Sequence, residues 1–468
     1  MIIRDPDVLA SYLLDAAHVP GGHADGVAFP RDAAEVVTVL RTSAHVLPVG
    51  AQSSLTGGAT PRGEVVLSTR ELTGFDLIDR TRVRVGAGVP LAELQAALRT
   101  DGLYYPPVPT YDGAFVGGTI ATNAAGAATF KYGSTRAWVE ALTVVVADGR
   151  VLDLQRGRGD TLDVPWPTYA MPAVAKQSAG YYSAPAMDPI DLFIGSEGTL
   201  GVIVAATLRV VPRPAIAVAL LRCESDDEAI AITAALRDGR GGDVSGVEYI
   251  GSDAIACVDD EAFDKANIAR PAAGAVMLLV QIEGDIDSFA ALMDRHGLSD
   301  HVVVAEPDDA RGAARLFDLR EAVPAAVNRR VAEAKARAHP DIEKTAGDMI
   351  VPFDRLADSL ALYRGAFAQR GLAHAVWGHF SDGNLHPNVI PRSLDDVVAG
   401  KEALLVIGRE VIAMGGSPLA EHGVGRNQVK QALLRMLYGD EGIAQMRAIK
   451  RALDPQWKLA PGVLFAPR

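Results

Sequence analysis

The chain has 468 residues, 49% of them hydrophobic and 22% charged, with a formal net charge of −13 at pH 7. That length exceeds one typical core and predicts two or three globular domains. The acidic balance argues against a nucleic-acid partner or an anionic membrane surface, because both need clustered Lys and Arg; a local basic pocket remains compatible with it.

The N-terminal Met1-Ile2-Ile3-Arg4-Asp5-Pro6 has no signal-peptide apolar core, and no run of 18 apolar residues follows anywhere. A cytoplasmic chain without a transmembrane segment is expected. From Ala28, short β-like runs (Val46–Val49, Val65–Ser68, 82–85, 142–146) are interrupted by glycine-rich turns, with helical stretches at 32–44 and Leu91–Thr100. Asp148-Gly149 between two β-rich runs predicts a hairpin with a type I′ turn. An exposed loop is predicted over 153–172. Val211-Pro212-Arg213-Pro214 breaks regular structure and predicts a boundary. Beyond it the pattern predicts helices at 226–237, 289–296 and 309–338, with a strand at 275–282. These suggest a compact antiparallel sheet with helices on one face. Cys223 and Cys257 form no CxxC, read as buried thiols, and fit a reducing cytosol. After Gly425 a helical tail runs to Asp454-Pro455. The fold class is α+β, divided as 1–213, 214–430 and a C-terminal helical segment, 431–468.

Three segments of the first half share one composition. Pro48-Val49-Gly50-Ala51-Gln52-Ser53-Ser54 follows a strand-like run. Gly117-Gly118-Thr119-Ile120-Ala121-Thr122-Asn123, with Gly126, holds almost nothing larger than threonine. Glu197-Gly198-Thr199-Leu200-Gly201-Val202-Ile203 runs into another strand. Small residues let backbone N–H groups approach a ligand and form an anion-binding nest. Three such loops predict an extended diphosphate-bearing ligand, with Pro109 and Thr110 as further candidates. None matches GxGxxG or GxxxxGK[ST], which disfavours a nicotinamide Rossmann domain.

Near the C-terminus, Gly378-His379-Phe380-Ser381-Asp382-Gly383-Asn384-Leu385-His386 and Ala420-Glu421-His422-Gly423 bring together three of the 10 histidines with acidic residues. The flanking glycines leave little bulk between these side chains and a ligand. Neutral imidazole with carboxylate suits a borderline divalent metal, zinc first and manganese or iron as alternatives. A fourth group beside it would serve as a general base.

The three loops, with Phe130-Lys131-Tyr132-Gly133-Ser134-Thr135-Arg136 and Val144-Val145-Val146-Ala147-Asp148-Gly149, resemble the FAD-binding domain of the vanillyl-alcohol oxidase and p-cresol methylhydroxylase flavoproteins. The C-terminal pair resembles, more narrowly, the FAD-linked D-2-hydroxyacid dehydrogenases: D-lactate dehydrogenase, D-2-hydroxyglutarate dehydrogenase and the glycolate oxidase flavin subunit. The likeness runs from Ala28 to Val463. This chain has Ala51 and Gln52 where the first loop usually carries glycine, and Ser381 where the family has glycine. No His or Cys is placed for a covalent flavin link, so non-covalent FAD is expected.

The resemblance implies a two-subdomain FAD-binding domain, an antiparallel-sheet substrate domain holding the metal, and a tail returning to the first domain. It implies that His379, His386 and Glu421 ligate the metal while His422 takes the hydroxyl proton of a small anionic D-2-hydroxy acid, lactate-like or 2-hydroxyglutarate-like. Hydride from C2 then passes to the flavin. Glu421 and His422 serve separate partners if the backbone there is extended. Arg320 and Lys344 occupy positions resembling the family's carboxylate binders. Asn388 and Asp382 are candidates for substrate contact or for supporting the metal ligands. The electron acceptor is a cytochrome, a quinone or an electron-transfer flavoprotein, through which membrane contact would pass; a homodimer is a candidate assembly. Alternatives are an oxidase, a dehydrogenase of glycolate or another alcohol, a non-redox flavoenzyme, and a flavin subunit of a larger complex.

Overall fold

The computed structural model describes residues 2–158 and 162–466. Met1, 159–161 and 467–468 fall within the predicted domain spans and the predicted 153–172 loop, and lie outside the described residues. Up to Pro212 the strands form two main sheets. In the first, Ile2–Ile3, Gly26–Ala28, Val65–Ser68 and Val46–Val49 lie in that order, the last three parallel. The second is antiparallel, ordered Phe75–Asp79, Arg82–Gly86, Val202–Arg209, Val139–Val145, Val151–Gln155. The helix Ala33–Thr42 starts where Asp32 Oδ1 accepts the Glu35 amide at 2.8 Å, and its Val36, Val39 and Leu40 face the core at helical spacing.

The Asp148-Gly149 hairpin is present, but its turn is not type I′. The Gly149 amide closes the turn onto Val146 O at 2.9 Å, so its central residues are Ala147 and Asp148, neither with the positive φ that type I′ needs; Gly149 (+87°) follows them. The Asp148 carboxylate holds the loop in another way, accepting the Arg150 amide at 2.9 Å. The predicted loop also begins later than expected, because Asp153 to Gln155 pair with Ala141 to Thr143.

The remaining strands build an antiparallel sheet ordered Val302–Ala305, Ile216–Cys223, Val276–Glu283, Asp243–Ile250, His374–His379, Asn384–Val389, Thr345–Ala346. Helices cover both of its faces, not one. Ile216–Cys223 is apolar at almost every position, so each alternating set needs cover. Ala217, Ala219 and Leu221 join a core with the helices Asp226–Arg237, Leu356–Ala368 and Leu394–Ala413. Val218 and Leu220 join a core with the long helix Ala310–Arg337. Full burial of each of Val218, Leu220 and Leu221 contributes roughly 1.5–3 kcal/mol. Cys223 and Cys257 are buried and free.

The tail Gln428–Leu453 breaks at Gly439 (φ +67°), and its Leu433, Leu434, Met446 and Ile449 pack into the core of the first two sheets. Beyond it the Val46 amide donates to Lys458 O and the Ala460 amide to Val46 O, both at 2.8 Å. No helix among the described residues is long and apolar enough to cross a membrane.

Candidate active site

The three small-residue loops meet around one cleft of about 1420 Å³, open to solvent. Every predicted cradle residue lines it except Asn123 and Gly126. The Asn123 side chain instead ties the loop to its surroundings, donating to Gln177 O at 3.0 Å and accepting the Arg136 amide at 2.9 Å. A Cβ on Gly126 would lie 2.4 Å from Val108 O, on Gly117 2.6 Å from Ala87 Cβ, and on Gly201 2.4 Å from Val144 Cγ1. Those glycines are required by packing behind the cleft. Gly118 differs: a Cβ there would meet nothing within 4 Å, so its backbone is open to a ligand. Each loop also carries one non-glycine residue at positive φ: Gln52 (+56°), Asn123 (+49°) and Glu197 (+51°). Gln52 thus adopts at the pocket wall a left-handed conformation that favours glycine. Such backbone costs on the order of 1 kcal/mol or more per residue and clusters at ligand sites.

Glu421 and His422 close one end of this cleft. The backbone there is bent, not extended, so the two side chains converge. Glu421 Oε1 lies 3.1 Å from His379 Nε2, 3.4 Å from His386 Nε2 and 3.5 Å from His422 Nε2. His379 and His386 reach this point from paired strands, His379 opposite Asn384 and His386 opposite Trp377. The glycines of the motif serve the hairpin. A Cβ on Gly378 (φ +151°) would sit 2.5 Å from Asn384 O, and Gly383 (φ +81°) takes the left-handed position at the turn.

Behind each imidazole stands a carboxylate. His379 Nδ1 bonds Glu248 Oε1, His386 Nδ1 is 3.7 Å from Asp348 Oδ1, and His422 Nδ1 is 3.4 Å from Asp348 Oδ2. Of the three, only His379–Glu248 is a hydrogen bond, and such a pair fixes the ring so that Nε2 faces a ligand; His386 Nδ1 has no hydrogen-bond partner among the described residues. Imidazole nitrogens grouped around one carboxylate oxygen are a donor set that suits a divalent cation. Asp348, His386, Glu421 and His422 also form a group whose ligand atoms all lie within 4.8 Å of one another. Asp348 is engaged elsewhere, however: its Oδ2 accepts the amides of Glu421 (3.0 Å) and His422 (2.8 Å).

Burial raises Glu248, yet His379 and Arg320 outweigh it and hold the carboxyl at about 2. Burial disfavours charge on His379, but Glu248 and Glu421 lift it to about 9. His422 goes the other way, drawn down by burial to about 4 against the pull of Asp348, which leaves it uncharged near pH 7. Lys176, with no exposed side-chain surface, donates to Glu421 Oε2 (2.7 Å) and Asn384 Oδ1 (3.0 Å). Asp382 Oδ2 is 3.4 Å from the same ammonium.

The three predicted substrate contacts separate. Arg320 is buried and its guanidinium is committed, with Nε 2.8 Å and Nη2 2.6 Å from Glu248 Oε2 and Nη1 2.7 Å from Glu321 Oε1. Lys344 has no carboxylate within ion-pair distance among the described residues, and its Nζ sits 5.9 Å from the Trp377 ring centroid. The residue is exposed, and desolvation by the protein around its ammonium lowers it to about 8. Asn388 Nδ2 donates to His386 O at 2.8 Å, while its buried Oδ1 has no partner.

The FAD binding domain family matches residues 24–155, and the C-terminal domain of FAD linked oxidases matches residues 213–464. The chain belongs to the FAD-linked oxidase family. This flavoprotein is 33% identical to a D-2-hydroxyglutarate dehydrogenase of Xanthomonas citri pv. viticola, over 94% of its own chain and 89% of the relative. It is 29% identical to the glycolate oxidase subunit GlcD of Bacillus subtilis, covering 97% and 92% of the two chains. It is also 29% identical to a D-lactate dehydrogenase of Archaeoglobus fulgidus, covering 92% and 89%. Among solved structures, alkyldihydroxyacetonephosphate synthase shares the fold, with a TM-score of 0.63 and 14% identity over 94% of this chain and 77% of that one. The flavoprotein is therefore an FAD-dependent oxidoreductase.

Three groups around the flavoenzyme's acid–histidine cluster lie outside the residues that the sequence motifs single out. Glu248 had a signal, as the one acid in the apolar run Val247-Glu248-Tyr249-Ile250. Asp348 follows a glycine and nothing more, and Lys176 stands in an irregular small-residue stretch.

Proposed function

We propose that this flavoenzyme oxidises a D-2-hydroxy acid, lactate-like or 2-hydroxyglutarate-like, to the 2-oxo acid. The observation that carries the reading is the convergence of three Nε2 atoms on Glu421 Oε1 at the end of the cofactor cleft. When bound, FAD accepts the C2 hydrogen with its electron pair, and a divalent metal, zinc in this reading, acidifies the substrate hydroxyl. His379, His386 and Glu421 hold that metal. His422 receives the hydroxyl proton at Nε2, and its low basicity keeps it unprotonated before the reaction. Lys344 takes the substrate carboxylate, since it has no ion-pair partner among the described residues, and Asn388 Oδ1 accepts a hydrogen bond from substrate or water. Arg320 acts through Glu248, which it holds against His379. The names of the relatives support the substrate class.

The test is turnover of a stereochemically defined panel of 2-hydroxy acids with an artificial dye acceptor. D-enantiomers are expected to turn over and L-enantiomers not. Rapid reoxidation of the reduced flavin by air would favour an oxidase instead, and no turnover of any 2-hydroxy acid would overturn the reading.

A further inference from the structure

The segment that carries Glu421 and His422 makes little regular structure of its own, yet five consecutive amides in it are held by side chains. Glu421 N and His422 N donate to Asp348 Oδ2 at 3.0 and 2.8 Å. Gly423 N donates to Ser178 Oγ at 3.4 Å. Val424 N donates to Glu197 Oε1 and Gly425 N to Glu197 Oε2, both at 2.8 Å. Asp348 adjoins the large sheet, beside Met349–Ile350, whereas Ser178 and Glu197 come from the part of the chain that builds the cofactor cleft. The catalytic segment is thus strung between the two.

Glu197 is tied at both ends. Its own amide donates to Ala121 O, in the second cradle loop, at 2.8 Å, and its backbone is held at φ +51°. Gly423 (φ +71°) has no room for a side chain, because a Cβ there would lie 2.9 Å from Glu197 Oε1. Both carboxylate oxygens are engaged by amides, which leaves neither free to meet a ligand. A direct hold on the cofactor is therefore not its chemistry, although it lines the cleft.

We propose that Glu197 is a positioning residue that couples the cofactor cradle to the Glu421–His422 segment and so fixes the base at its working distance from the flavin. The inference rests on the reading of His422 as proton acceptor. A glutamine at this position keeps one acceptor and turns an NH2 towards the other amide; an aspartate keeps the charge but is one carbon short of reaching both.

The experiment compares Glu197→Gln and Glu197→Asp with the unmodified protein, FAD and metal loaded, at pH 8. Flavin reduction by a turned-over 2-hydroxy acid is expected to slow by about 10- to 100-fold at saturating substrate, as for a misplaced reacting group. KM is expected to stay within about threefold, since uniform binding is untouched. The solvent deuterium isotope effect on reduction should rise, because proton removal becomes limiting. FAD and metal per chain should be unchanged. Amide hydrogen exchange at Val424 and Gly425 should quicken by about tenfold or more while the amides of Glu421 and His422 stay protected. An unchanged reduction rate in both variants would overturn the proposal, and so would a loss that added FAD restores, which would make Glu197 a cofactor contact. If the unmodified protein is reduced by no 2-hydroxy acid, the functional reading fails. The clamp is then judged by exchange alone, where unchanged protection of Val424 and Gly425 overturns it. If Glu197→Gln retains no FAD, Glu197→Asp decides on the same readouts.

Discussion

His422 and Lys344 carry the residue-scale consequences, because each is a titratable group whose environment has moved it. Removing the base by His422→Ala should slow flavin reduction by about 10²- to 10⁴-fold, the usual contribution of a positioned proton acceptor. Anaerobic stopped-flow absorbance measures this, with FAD content as the control. Lys344 is lowered to about 8 by desolvation, with no carboxylate within ion-pair distance among the described residues. Its ammonium, not the neutral amine, attracts a carboxylate, so binding favours the protonated form. The KM for a 2-hydroxy acid should therefore be low below pH 8 and rise as pH passes through that value, with little change in the limiting rate from this group. Lys344→Met should give a KM that is high throughout and lacks this rise. A KM that falls above pH 8 in the unmodified protein would exclude Lys344 as the carboxylate site. At this scale the sequence is informative where residues are close together. His379 and His386 are seven apart and Glu421 precedes His422, so their types and spacing announce the acid–histidine cluster. Arg320 shows the limit of the same reasoning, since nothing local records that Glu248 and Glu321 occupy its guanidinium.

The element that builds the site is the hairpin His374–His379 with Asn384–Val389. Its register sets the two imidazoles on one face, and Glu248 joins them from Asp243–Ile250, directly opposite His379. The motif 378–386 spans the turn and the facing strand ends, but its residues announce chemistry and not the strand pairing. It does not identify Glu248, which is 131 residues away and arrives only through the pairing of the two strands. Glu248→Gln keeps the shape but removes the charge that orients His379, and should weaken metal affinity by about 10- to 100-fold, read by competition with a chelator. Gly378→Ala would drive a methyl into Asn384 O and part the strands, so metal retention should fall together with thermal stability. The turn at Asp148-Gly149 illustrates the opposite case. Its dipeptide correctly marks a hairpin, yet Asp148 finds a partner in the Arg150 amide, and the turn takes another form.

At the scale of the molecule, the tail locks the first core. Lys450 and Asp454 are each 1% exposed and 2.5 Å apart, and the ammonium also reaches Thr199 O at 2.6 Å and Leu459 O at 2.8 Å. Asp454→Ala would leave that ammonium buried without its counter-charge and should cost about 3–5 kcal/mol, measurable as a lower denaturant midpoint with early FAD release. The helical tail is legible from its periodicity, but its partners are not, since contacts such as Lys450 with Thr199 span 251 residues. Sheet coverage escapes the sequence for a related reason: periodicity shows that Ile216–Cys223 is apolar on both faces, and only the packed structure shows the second helix layer. The proposed chemistry depends on cleft and acid–histidine cluster acting as one centre. The most direct test is anaerobic mixing of the FAD-loaded protein with a D-2-hydroxy acid, before and after removal of divalent metal, following the flavin absorbance. Prompt bleaching that disappears with the metal and returns when zinc is restored is the expected result; bleaching at an unchanged rate in metal-free protein would contradict it.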